Sequence, residues 1–143
     1  MTPLNLRERP PRDPRVRLGG LMMLARTVDK ARAALPGGEP GQYFITPGLS
    51  AWLLARLKLT ETEFLELVRL AENDDAVVAA LAGILLPERC ERVNAFLESL
   101  RVQDTTPELR EPFVRLYGSQ PADALIIDVL TADDRAMFSG STA

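Results

Sequence analysis

The chain has 143 residues, 46% of them apolar, a single cysteine, no histidine and a formal net charge of −3 at pH 7. Such a chain closes one hydrophobic core without cross-links, and its lone Cys90 excludes an intrachain disulfide. The missing imidazole removes the common zinc sets, histidine-activated nucleophiles and a proton shuttle near neutral pH, leaving Asp, Glu, Lys, Tyr or Cys for any acid–base work.

Residues 1–17 carry Pro3, Pro10, Pro11 and Pro14 among Arg7, Arg9, Arg12, Arg15 and Arg17. Proline removes donors and holds its predecessor extended, so this stretch is expected to be an extended N-terminal arm packed on a domain of residues 18–138. Gly19 and Gly20 then free the backbone. Leu21, Leu24, Ala25, Val28, Ala31 and Leu35 recur at helical spacing, which predicts a first helix over 21–35 that Pro36, Gly37 and Gly38 end. On its opposite side Arg26, Asp29, Lys30 and Arg32 read as a charge ladder.

Gly41 to Pro47 is aromatic and β-branched, and reads as one extended piece over the core rather than part of a sheet. Leu49, Trp52, Leu53 and Leu57 mark the next helix, with Trp52 assigned to the core. Thr60 and Glu63 form a capping box for the helix after it. Asn73 to Asp75 supply the cap of a helix over AVVAALAGILL, which is apolar nearly all round and is expected to be the most buried. Pro87 opens a helix carrying Cys90, Val93 and Leu97.

Thr106 and Pro107 start another helix that Pro112 is expected to break after one turn. ALIIDVL follows Pro121 and is read as helix, having no strand to pair with. Thr131 and Asp134 are read as a capping box for a last turn, and residues 139–143 as a tail. The whole predicts an all-α domain of five to seven helices.

The charge is unevenly placed: residues 1–35 hold eight basic and three acidic side chains, the remainder nine and seventeen. Guanidinium forks, glycines that admit a ligand to the backbone and a helix N-terminus all favour an anion. Arg12, Arg15, Arg17, Gly19, Gly20 and Lys30 are therefore the candidate ligand-binding residues, for a phosphate- or carboxylate-bearing small molecule or an acidic protein surface. The alternative is that Arg12, Arg15 and Arg17 pair with the protein's own acidic helices and pin the arm. Neither phosphate-loop pattern, GxxxxGK[ST] or GxGxxG, occurs at the corner.

Asp29, Lys30 and Tyr43 are the candidates for acid, base or electrostatic anchor should the protein be an enzyme on a small phosphate or carboxylate compound. A structural or oligomer-forming protein is the third reading. The doublets Asp74-Asp75 and Asp133-Asp134 sit where helices should begin, so capping accounts for them and no metal is expected, nor any cofactor. Burial with Glu88 and Glu91 nearby should raise the Cys90 thiol pKa and leave it unreactive. A net acidic body with few aromatics argues against nucleic acid, and no leader or spanning run of about 18 apolar residues is visible. A cytoplasmic location is expected; the oligomeric state stays open.

PPRDPRVRLGGLMMLARTVDKARA, with QYFITPGL and the DDAVVAAL and VNAFLESL blocks, resembles the bacterial domain-of-unknown-function family 5069. The resemblance falls on Pro11, Arg12, Pro14, Arg15, Arg17, Leu18, Gly19, Gly20, Asp29 to Arg32 and Tyr43. It implies a small helical cytoplasmic protein and names no substrate. Asp13 stands where the family is expected to carry Ser, and Gly48-Leu49 where an Asp is expected after the proline.

Overall fold

A computed structural model describes residues 1–139. Seven α-helices are found among them: α1 Leu24–Ala34, α2 Leu49–Arg56, α3 Glu61–Leu70, α4 Asp74–Ala80, α5 Pro87–Ser99, α6 Pro107–Tyr117 and α7 Ile126–Ser139. A 3-10 turn, Val102–Asp104, joins α5 to α6, and no strand occurs among the described residues. The all-α single domain is as expected. Residues 140–143, most of the expected tail, lie outside the described residues, and Ser139 ends α7 instead of starting that tail.

α1 is the centre of the core because its apolar residues fall at i, i+1, i+4 and i+7. Leu24, Ala25, Val28 and Ala31 are wholly buried, and the helix packs on α2 and α3. It starts three residues later than its periodicity suggests, for a local reason. Leu18 and Leu21 exchange two backbone hydrogen bonds of 3.1 and 3.0 Å around Gly19 and Gly20, both at positive φ. Met23 is left-handed, and its N–H donates to Pro14 O.

The arm is ordered against the domain. Leu4 and Leu6 are buried with Ala33 and Tyr43, and Leu6 N–H donates to Glu39 O at 2.8 Å. Along Gln42 to Thr46 burial alternates, with Tyr43 and Ile45 inward and Phe44 outward, so the segment is extended in outline yet pairs with no strand. The Thr46–Pro47 peptide bond is cis.

Both predicted start signals of α3 and α5 are present: Thr60 and Glu63 complete the capping box with bonds of 2.9 and 3.1 Å, and Pro87 occupies the first turn. Four expectations fail. α4 is the shortest helix and buries only Val77, because it ends at Ala80 before Gly83 and leaves Ala79 and Ala80 at the surface. α6 runs through Pro112. The lost bond to the Glu108 carbonyl is offset by burial of Pro112 and Phe113 beside Leu109, at about 2 kcal/mol for a large side chain.

The other two lie in α7 and α2. Thr131 and the Asp133-Asp134 doublet sit in mid-helix and cap nothing, because α7 already begins at Ile126. Asp134 is instead one of the few buried charges of the molecule. Trp52 is half-buried rather than central, stacked on the exposed ring of Phe96 at 5.0 Å, with the Arg56 guanidinium 4.8 Å from the centre of its ring.

Candidate functional site

Where the arm's arginines go decides the first candidate. The Arg12 guanidinium reaches Asp29 Oδ1 on α1 at 3.0 Å and Asp74 Oδ2 on α4 at 2.7 Å, while its backbone N–H donates to Asp29 Oδ2 at 2.8 Å. The Asp74 hydrogen bond, against the cost of burial, and then the Asp29 bond push its pKa above the ordinary range. Arg15 meets Asp128 on α7, and Arg17 meets Glu98 and Glu91 on α5. The three cations thus go to three different parts of the protein and do not converge on the diglycine corner.

The corner itself is filled from inside. A Cβ on Gly19 would lie 2.8 Å from Leu85 Cδ1. Asn94, buried on α5, accepts from Met22 N–H and donates to Gly20 O, and the Cys90 thiol sits against Gly19 O. Burial, then the charge of Glu91, raises that thiol's pKa. Gly19 and Gly20 also precede α1 by several residues, so they do not form its N-terminus. Asp13 serves a separate turn earlier in the arm, accepting from Arg15 N–H at its carboxylate and from Val16 N–H at its carbonyl, and its Oδ2 lies 2.9 Å from Thr131 Oγ1.

The expected ladder on α1 is corrected as well, since Arg26 and Asp29 are buried. Arg26 forms a two-pronged pair with Asp134 at 2.7 and 3.1 Å, and its Nε is a buried donor without an acceptor. The Tyr43 hydroxyl donates to Asp134 Oδ1 at 2.7 Å. Burial, then this bond, raises the Tyr43 pKa far above its usual value. Because Arg26 also donates to Arg12 O, one polar chain runs from Asp74 through Arg12 and Arg26 to Asp134 and Tyr43, pinning the arm to α1, α4 and α7.

Lys30 is the exception. It makes no ion pair among the described residues and has one hydrogen bond, to the buried Ser50 Oγ at 3.3 Å. It lines a cavity of about 120 Å³ with Tyr43, Asp133 and an otherwise largely apolar wall from α6, α7 and the start of α2. Gly48 and Leu49 in that wall begin α2, which has no side-chain cap and so brings unpaired N–H groups and a positive dipole end to this side of the molecule. Phe44, Leu116 and Met137 line the same cavity while remaining exposed, which gives it an apolar mouth.

Charge is disfavoured in this cavity. Burial, then repulsion from Arg26, lowers the Lys30 pKa from 10.5 to about 7, with Asp134 opposing. Burial and the neighbouring Asp134 raise the Asp133 pKa, and burial raises Tyr117 to about 12. Of the sequence candidates, the cavity therefore unites Lys30 and Tyr43, while Asp29 is spent on Arg12 and Arg32. Ser50 and the uncapped start of α2 were not singled out by sequence, and Asp133 was read there only as part of a helix-capping doublet. Only Gly48 after Pro47 gave a signal, as a place where a helix begins without a capping side chain.

The fold and this cavity define a single all-helical domain with a lysine-bearing, largely apolar pocket built on α1, α2, α6 and α7. The chain belongs to the family described as Domain of unknown function (DUF5069), whose model matches residues 8–134. No curated protein matches it. No helix among the described residues is long and apolar enough to cross a membrane, and no group of potential metal ligands is found among them.

Proposed function

We propose that the protein is a non-enzymatic binding module for a small, mainly apolar molecule whose anionic or carbonyl head is received by Lys30. The observation that carries this reading is an amine without a carboxylate partner in the wall of an apolar cavity, in a protein that pairs Arg12, Arg15, Arg17 and Arg26 internally. A buried ammonium is costly unless paired, so a site that leaves it unpaired favours a ligand that completes it. The uncapped start of α2 adds a dipole that favours a negative oxygen. A cavity on the order of 150 Å³ holds a benzene-sized molecule, and this one is of that class. A reducing, cytoplasmic setting accords with the unpaired Cys90.

Thermal-shift and calorimetric titration with hexanoate and benzoate, against hexanol as the neutral comparison, tests the reading. The carboxylates should stabilise the protein, more at pH 6 than at pH 8.5, since only the ammonium form of Lys30 attracts them. Lys30→Met should abolish the effect, while Arg15→Ala with Arg17→Ala should preserve it. Absence of stabilisation by either acid at millimolar concentration refutes it, and loss of binding on removing Arg15 and Arg17 would return the site to the arm.

A further inference from the structure

The hydrogen bonds around Lys30 carry a direction. Thr27 Oγ1 lies 2.8 Å from Met23 O, which can only accept, so the threonine proton is committed there. The 3.0 Å contact between Thr27 and Ser50 then uses the serine proton. Ser50 Oγ has only acceptor capacity left for Lys30, so the amine donates one N–H to it in either protonation state. When neutral, Lys30 keeps its lone pair free of the protein.

Resting on the cavity-binding reading above, we infer that Lys30 captures an aliphatic aldehyde or ketone as a Schiff base, making the carbonyl compound the class of ligand the cavity retains covalently. The free lone pair attacks the carbonyl carbon as the C=O π pair moves to oxygen, and transfer of a proton from nitrogen to that oxygen gives the carbinolamine. The C–O bond then breaks, both amine hydrogens leave in one molecule of water, and C=N remains; nothing is oxidised or reduced. Apolar walls such as Leu49, Phe113 and Leu130 disfavour retention of the released water, and the exposed Phe44, Leu116 and Met137 accept the chain beyond the carbonyl. At pH 7 a lysine held near 7 is about half neutral, whereas one at its ordinary value is neutral in roughly one molecule in 3,000.

The sequence supplies its own control, because it contains only two lysines, and the other, Lys58, is exposed. The unaltered protein is incubated with hexanal and sodium cyanoborohydride at pH 7, and the products are read by intact mass and peptide mapping. A single hexyl group should appear on Lys30, on the order of a hundredfold faster than on Lys58, and hexanoate should slow it. Labelling of Lys58 or the amino terminus ahead of Lys30 overturns the inference. Hexanoate binding without labelling at Lys30 removes the Schiff base and leaves the binding module standing. Labelling at Lys30 without hexanoate binding supports the carbonyl chemistry and removes the anionic head from the reading.

Discussion

Replacing Lys30 by methionine removes the amine and keeps the length of the stem, and the result should be a more stable protein. A fall in pKa from 10.5 to about 7 is worth, at about 1.4 kcal/mol per tenfold change in proton affinity, an upper limit of about 4–5 kcal/mol against the charged form. Water entering through the mouth screens part of that, and the lost bond to Ser50 costs about 1 kcal/mol, so the expected gain at pH 6 is about 2 kcal/mol. The sign follows from linkage. Between pH 7 and 10.5 the unfolded chain holds a proton on Lys30 that the folded protein has released, so the parent's stability rises with pH across that window. Lys30→Met lacks the rise, and its advantage should shrink toward zero by about pH 10.5. Urea unfolding at pH 6, 8 and 10 measures both quantities, and about 2 kcal/mol corresponds to a melting shift of roughly 4–8 °C for a domain of this size. A variant less stable than the parent at pH 6, or a difference independent of pH, would refute the reasoning.

Further substitutions probe the polar chain beside the site and the packing of the diglycine corner. Arg26→Met alone strands the buried Asp134 and should cost about 3–5 kcal/mol, whereas adding Asp134→Leu and Tyr43→Phe should recover most of it; denaturant midpoints of the single and triple variants check this. Gly19→Ala meets both a φ of +58° and Leu85 Cδ1 at 2.8 Å, and should cost about 2–3 kcal/mol; Gly20→Ala, at φ +84° with open space around it, should cost about 1 kcal/mol by the same assay.

The helices were legible because their signals are local. The period of Leu24, Val28 and Ala31, the reciprocal bonds of Thr60 and Glu63 and the position of Pro87 each act within a few residues, so sequence alone determined that α1, α3 and α5 exist. Pro112 misled because its cost is also local, while the compensating burial of Phe113 comes from other helices. The pairing of charge is a different kind of fact. Arg12 finds Asp74 across 62 positions and Arg26 finds Asp134 across 108, and nothing in the spacing of either residue announces its partner. Sequence determined that positive charge gathers at the front of this chain and that no histidine chemistry is present; tertiary structure alone decided which of the candidate cations Arg12, Arg15, Arg17 and Lys30 would be left without a carboxylate among the described residues. That cation is Lys30, because the folding of α2, α6 and α7 around α1 brings it a serine and an apolar cavity instead of a carboxylate.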